Sequence, residues 1–90
     1  MNAAVVTLSI DPDRAPAAAA AFTAEIMPRI RSAPGLVAGY FVDPVDGRGL
    51  GFVVFESEED ARRATPPAMS WDAPGVTIHS VEYRRVAVRL

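Results

Sequence analysis

The chain of 90 residues lacks cysteine and lysine, and it contains only one histidine, one tryptophan and one asparagine. Without cysteine there is neither a disulfide framework nor a thiolate ligand for a metal. A single histidine cannot assemble a zinc centre alone. These absences predict a protein with no metal and no cofactor.

An excess of charge of either sign is also missing. Nine arginines and eleven acidic residues are interspersed, and the formal net charge is −2. No broad positive field is therefore available to attract nucleic acid or anionic lipid. The amino terminus has no basic region, and acidic residues soon interrupt the first apolar run, so neither a signal peptide nor a membrane span is predicted. We expect a cytoplasmic protein without a nucleic-acid or membrane partner.

Apolar residues, by contrast, make up 50% of the sequence, which indicates a folded chain with a hydrophobic core. We expect residues 1–90 to form a single domain. A domain of this size buries only about 60–65% of the surface that its unfolded chain exposes. A second subunit is the expected source of additional stability.

Apolar periodicity predicts the element order βαββαβ. Period-2 alternation over residues 5–10, 36–42, 50–55 and 76–90 is typical of strands. A short helix is predicted after Ser57, a good amino-terminal cap. An earlier, longer helix is predicted from an apolar stripe of Ala15, Ala19, Phe22, Ile26 and Ile30. This order is that of the ferredoxin-like fold, an α+β arrangement in which a four-stranded antiparallel sheet has two helices on one face.

Local signals refine the first helix and the hairpin. Asp13 is placed to cap the helix, and Pro28 lies inside it, where the missing amide leaves the carbonyl of Ala24 without a donor. We therefore expect a kink in the last helical turn. Between the second and third strands, Asp46 and Gly47 predict a turn.

The predicted hairpin of residues 36–55 is apolar on both faces. An antiparallel sheet with one solvated face has a polar face, so the face without helices requires a cover of its own. The last strand, residues 76–90, changes the phase of its alternation, which predicts a bulge or two environments along its length. The loop before it, residues 66–75, carries Met69 and Trp71.

One stretch of the hairpin resembles an RNA-binding motif. Residues 48–55, Arg-Gly-Leu-Gly-Phe-Val-Val-Phe, resemble the third-strand octapeptide of the RNA recognition motif. Leu50 stands where that family has an aromatic residue, Phe52 matches a stacking position, and the first strand has no aromatic residue. The resemblance implies an RNA-binding module that uses Phe52, which the charge balance opposes.

Three other stretches, residues 26–31, 33–37 and 53–61, resemble the dimeric α+β barrel superfamily that contains the antibiotic-biosynthesis-monooxygenase-like domains. The resemblance extends over nearly the whole chain. It implies a homodimer in which two sheets pack face to face about a twofold axis, and a carboxy-terminal strand that reaches the neighbouring subunit. Such pairing would cover the second apolar face of the hairpin.

Cofactor-free monooxygenases and haem-degrading members of that superfamily have an asparagine, a tryptophan and a histidine around a cavity. The only asparagine here, Asn2, precedes the first strand, so the resemblance does not assign this site and the catalytic residues are unknown. Three candidates remain. Trp71 is either a pocket lid or a plug that packs the loop against the core. His79 is either an acid/base or a strand-surface or interface histidine. Tyr40 either presents its hydroxyl to a ligand or is an ordinary half-buried strand residue.

Three functions stay open at this point. The first is a small homodimeric α+β barrel protein that binds a small apolar molecule or serves as an assembly module. The second is a cofactor-independent monooxygenase-like oxidoreductase of the same fold that uses Trp71, His79 and Tyr40. The third is an RNA-binding module. The sequence contains no constellation of residues that specifies a reaction.

Overall fold

The structure is a computed structural model and describes residues 1–66, 71 and 73–90. Met69 lies outside the described residues. The elements follow the predicted order, and their bounds are β1 (Asn2–Ile10), α1 (Ala15–Ala21), a π-helical turn (Phe22–Ile26), α2 (Met27–Arg31), β2 (Leu36–Val45), β3 (Arg48–Phe55), α3 (Glu58–Arg63) and β4 (Val76–Arg85).

The four strands form one antiparallel sheet in the order β2-β3-β1-β4. Both helical regions pack on the same face of this sheet, because a single core joins side chains of α2, the π turn and α3 to those of β1 and β3. Its buried members include Ile26, Ile30, Ala61, Val6, Val53 and Phe55. The predicted ferredoxin-like fold is confirmed.

The opposite face of the sheet, called the open face below, carries the alternate residues of each strand. Tyr40 of β2 lies beside Phe52 of β3, which in turn pairs with Val5 of β1. Tyr40 is 66% exposed and Phe52 is 38% exposed. The second apolar face of the hairpin therefore exists as the sequence predicts, and no helix of the described chain covers it.

The cap of the first helical region lies two residues earlier than predicted. The side chain of Asp11, not that of Asp13, caps the chain: its Oδ1 accepts a hydrogen bond from the amide of Asp13 at 3.0 Å. A 3-10 turn over Pro12–Arg14 precedes α1. The prediction for Asp13 is wrong because Pro12, with its fixed φ, already starts the first turn.

The irregularity associated with Pro28 also lies elsewhere than predicted. The amide of Met27 donates to the carbonyl of Phe22, five residues earlier, in the π-helical turn. With this spacing residue 28 faces the carbonyl of Thr23 rather than that of Ala24. The missing amide of Pro28 is thus accommodated by a wider turn before it, and α2 continues to Arg31. The irregularity lies in the turn before Pro28, whereas the prediction placed a kink in the last turn.

The turn and cap signals of the hairpin and of α3 are confirmed. Asp46 and Gly47 have φ angles of 52° and 75°, which is the pair of positive angles that a tight hairpin turn requires. The Oγ of Ser57 accepts a hydrogen bond from the amide of Asp60 at 3.1 Å. Acidic residues fill the first turn of α3 and arginines its last turn, which complements the helix dipole.

The predicted phase change in the last strand corresponds to a bulge. β1 pairs Thr7 with Ser80 but Leu8 with Ile78, so His79 is an extra residue on β4. The strand ends at Arg85 and not at residue 90. The reason is the length of β1, the strand that pairs with β4. β1 begins at Asn2, which lies opposite Arg85, so the residues after Arg85 have no residue of β1 beside them.

Candidate binding site

A cavity of about 590 Å³ lies between the first helical region and one end of the sheet. All four strands contribute to its walls, together with α1 and the π turn. Its lining is mainly apolar and includes Leu8, Ile10, Phe22, Ile26, Val76 and Ile78. Binding sites for small molecules have volumes of about 300–1,000 Å³ and walls of this character.

Small residues create much of this space. Three alanines of α1, Ala15, Ala18 and Ala19, face the cavity, and Gly49 lies on the β3 side. Within the predicted stripe, Ile26 and Ile30 pack against the sheet, whereas Ala15 and Ala19 face the cavity instead. The helix touches the sheet at its carboxy-terminal half, and its amino-terminal half roofs a cavity.

Three aromatic rings form one wall. Phe41 makes an edge contact with Phe22, with ring centroids 4.8 Å apart, and a tilted contact with Trp71 at 6.2 Å. Trp71 is only 6% exposed and belongs to the hydrophobic core as well as to the cavity lining. Its Nε1 is buried and has no hydrogen-bond partner within the part of the chain that the structure describes. The two interpretations of Trp71 therefore describe one position: a core plug whose ring faces a pocket.

The cavity has few polar side chains. Among the described residues that line it, polar side-chain atoms occur only on Thr23, Asp43 and Trp71. None of these lining residues is an arginine, a lysine or a histidine. The cavity therefore offers a ligand apolar contacts and at most a few hydrogen bonds, and no positive charge.

The structure separates the three candidate residues. Only Trp71 lines the cavity. His79 is exposed on the bulge of β4, and its Nε2 lies 2.6 Å from Oγ of Ser9 on the open face. Tyr40 projects from the edge strand β2 on the same open face, beside Phe52, the residue of the RNA-binding hypothesis.

The residues that shape the cavity are ones that sequence reasoning passed over. Phe41, Thr23 and the alanines of α1 carry no chemical signature of a site. The available signal was the composition of the helical stripe, which changes from alanine at its start to isoleucine at its end. A stripe whose side chains shrink towards one end cannot fill the space between helix and sheet evenly.

Tyr83, the second tyrosine, has a structural role. Thr65 is 1% exposed, and its hydroxyl donates to the carbonyl of Ala61 at 2.8 Å. Because that bond uses the only hydroxyl proton of Thr65, the hydroxyl of Tyr83 donates to Oγ1 of Thr65, at 2.6 Å. The guanidinium of Arg62 lies 4.2 Å from the centre of the Tyr83 ring. These contacts attach the end of α3 to β4.

Replacing Tyr83 by phenylalanine is expected to lower the free energy of unfolding by about 1 kcal/mol, because one hydrogen bond to a buried hydroxyl is lost while the ring and its contact with Arg62 remain. Chemical denaturation at fixed protein concentration measures the change. Ser32→Ala is the control, since an exposed hydroxyl away from the open face is removed there and a change within about 0.5 kcal/mol is expected. Equal losses in the two variants would contradict the role of Tyr83.

No group of three or more histidine, cysteine, aspartate or glutamate residues that could hold a metal ion occurs in residues 1–66, 71 and 73–90. In the same part of the chain, no helix is long and apolar enough to cross a membrane.

No family model matches the chain, and no curated protein matches it. Among solved structures it is similar to MhuD. A crystal structure of a MhuD point mutant with two manganese protoporphyrin IX molecules bound per active site has 15% identity and a TM-score of 0.70, over 100% of this chain and 98% of that chain. The heme-degrader MhuD from Mycobacterium tuberculosis, with two hemes bound in its active site, has 17% identity and a TM-score of 0.65, over 100% of this chain and 99% of that chain.

At identities this low, the likeness is one of fold. It extends over the full length of both chains, so it includes the helices, the sheet and their order. The ferredoxin-like fold that the resemblance to the dimeric α+β barrel superfamily implies for one chain is shared with these two structures; membership of the superfamily itself stays a prediction. The bound porphyrins are a property of those two structures.

Proposed function

We propose that the protein is a homodimer in which each subunit binds a small, mainly apolar molecule in the cavity between helix and sheet. The observation that carries the ligand-binding part is the cavity itself. Its volume of about 590 Å³ and its mainly apolar walls lie in the range that is typical of binding sites for small molecules.

The apolar open face supports the dimer. Its exposed large residues, Tyr40, Val42, Leu50 and Phe52, occupy neighbouring positions of β2 and β3. Such a contiguous apolar surface marks an interaction site in a soluble protein. A second copy of the chain is the proposed occupant because the same face of the partner is equally apolar, as a twofold interface requires.

The exposed area of the chain is consistent with that proposal. The chain exposes 5799 Å², whereas a compact monomer of this mass is expected to expose about 5,100 Å². The excess of roughly 700 Å² is close to the area of about 800 Å² that each partner buries in a standard interface. Pairing through the open face would bring the exposed area per chain to the usual value.

Polar residues on the open face are already paired with each other. Oγ1 of Thr7 lies 2.5 Å from Oγ of Ser80, and Ser9 is bonded to His79. A polar group that keeps a hydrogen bond is inexpensive to bury, whereas an unpaired one costs about 1–3 kcal/mol. These four residues therefore do not oppose a partner on the open face. Glu82 and Arg84, an exposed ion pair on the β4 part of the same face, would lie at the rim of the proposed interface.

The oxygenase hypothesis has one observation in its favour, which is the position of Trp71 in the cavity wall. His79 and Tyr40 lie on the open face and do not join it there. An oxygenase would therefore have to use Trp71 without these two residues, and oxygen consumption that survives the combined replacement of His79 and Tyr40 would support it.

Native mass spectrometry of the protein isolated from its own host tests the proposal. The expected spectrum shows twice the chain mass of 9.6 kDa, with added mass from a small molecule that is lost on denaturation. A monomer without added mass would contradict both parts. A dimer without added mass that also takes up no apolar probe from solution would contradict the ligand-binding part alone.

A further inference from the structure

The cavity does not fit the ligand that the similar structures contain. Protein-bound haem iron is held by the side chain of a histidine, cysteine, methionine or tyrosine. None of these occurs among the described residues that line the cavity. His79 is the only histidine of the chain, and its Nε2 is bonded to Ser9 on the opposite face of the sheet.

The charge of the lining disagrees with haem as well. Haem carries two propionate groups, and a buried carboxylate needs a positive partner. The only charged residue among the described lining is Asp43, which has the same sign as a propionate. Arg14 packs its aliphatic stem near Gly75 and is not one of the lining residues. An anionic ligand would therefore lose its hydration without gaining an opposite charge.

One donor in the wall has no acceptor. Nε1 of Trp71 is buried and unpaired in the described part of the chain, although buried polar groups of proteins are nearly always hydrogen-bonded. The indole ring lines the cavity, so a ligand bound there would lie beside the residue that carries this unpaired donor. An oxygen acceptor on the ligand would supply the missing bond.

We infer that the ligand is an uncharged molecule with an apolar, ring-containing body and a hydrogen-bond acceptor that pairs with Nε1 of Trp71, and that the cavity does not select haem or other carboxylate-bearing ligands. The inference rests on the proposed binding function and adds the class of ligand. The aromatic wall of Phe22, Phe41 and Trp71 favours a flat ring. The described lining has the exposed Asp43 as its one charged residue, so the buried part of the wall favours a neutral ring.

Three small probes that share one ring system test the class of ligand. They are 2-acetylnaphthalene, which has a neutral acceptor, 2-ethylnaphthalene, which has none, and 2-naphthoate, which is anionic. Calorimetric titration is expected to give an affinity about tenfold higher for the ketone than for the ethyl compound, the value of one net hydrogen bond. The naphthoate is expected to bind more than about tenfold more weakly than the ethyl compound, because its charge must be desolvated.

Two variants identify the donor. Trp71→Phe is expected to reduce the tenfold preference for the ketone to about one, whereas the loss of wall area is expected to lower the affinities for both probes by a similar factor. Thr23→Val removes the other uncharged polar group of the lining and is expected to leave the preference intact. A loss of packing would weaken both probes equally, so the ratio separates hydrogen bonding from structure. In the unchanged protein, the single indole N–H signal in an NMR spectrum should move downfield with the ketone and not with the ethyl compound.

The possible failures are distinguishable. If none of the naphthalenes binds, the proposed binding function is wrong. If all three probes bind but the ketone binds no more tightly than the ethyl compound, the assignment of Trp71 as the donor is overturned. The same holds if Thr23→Val, and not Trp71→Phe, abolishes the preference for the ketone. Preferred binding of the naphthoate, or haemin binding with an iron ligand visible in its absorption spectrum, would overturn the inference that the site takes uncharged ligands.

Discussion

A chain that carries Phe52→Asp is expected to be a monomer at concentrations where the unchanged chain is a dimer. Phe52 lies on β3, an inner strand of the sheet, between Tyr40 and Val5 on the open face. In a twofold dimer that pairs open faces, each interface would bury two such rings. Loss of one central aromatic residue costs about 2–4 kcal/mol of binding free energy. Because the substitution removes both rings, the dissociation constant is expected to rise by about 1,000-fold or more.

Light scattering after size-exclusion chromatography at several protein concentrations measures this change. Ala20→Asp is the matched control, since it introduces the same charge at an exposed position of α1 and should leave the dimer intact. Tyr40→Asp is a second variant: Tyr40 is more exposed than Phe52, so the fold of the subunit is less affected. Dimers in both open-face variants, or a monomer in the unchanged chain, would refute the proposed interface.

Much of the fold is predictable from the sequence because its signals are local and agree with each other. The positive φ angles of Asp46 and Gly47 and the capping bond of Ser57 are predictable because these residue types strongly favour turns and helix caps. The period-2 patterns that flank the turn at Asp46 and Gly47 then identify the strands on either side of it. Because these local signals agree, the order of the elements can be predicted.

The first helical region shows where this reasoning ends. Asp11 and Asp13 are both acceptable caps, and the choice depends on whether the chain turns at Pro12. The π turn before Pro28 adds one residue to a helical turn. The apolar stripe after this turn is therefore rotated about the helix axis, and no residue type in the sequence marks the extra residue. Helical registers that differ by one residue have nearly equal local energies, so packing on the sheet decides between them.

The candidate site was less predictable than the fold for a physical reason. Sequence reasoning favours Trp71, His79 and Tyr40 because their side chains have polar or titratable groups. The cavity, by contrast, forms where the side chains are small. The face on which His79 appears depends on the bulge opposite Thr7 and Leu8, and a bulge moved by one residue would exchange the two faces of the strand. The sequence shows that the alternation of the last strand changes phase, but it does not show which residues of β1 lie opposite the bulge.

Gly51→Ala is expected to destabilise the protein by about 1–3 kcal/mol and to disturb the cavity wall at the same time. Gly51 lies opposite Phe41 on the neighbouring strand, and a Cβ atom there would be 2.6 Å from Cε1 of that ring. Phe41 cannot withdraw freely, because Phe22 and Trp71 contact its other sides. Such overpacking forces side chains from their preferred rotamers.

Gly39→Ala provides the control on the adjacent strand. A Cβ at Gly39 would lie 3.6 Å from the nearest atom, a methyl group of Val53, which is an ordinary contact. This variant should be unchanged or more stable by up to about 1 kcal/mol, since alanine restricts the unfolded chain. Urea denaturation at one protein concentration, followed by the fluorescence of Trp71, compares the two. If both variants unfold at the same urea concentration, Phe41 is not fixed against β3, and the aromatic wall would be free to rearrange around a ligand.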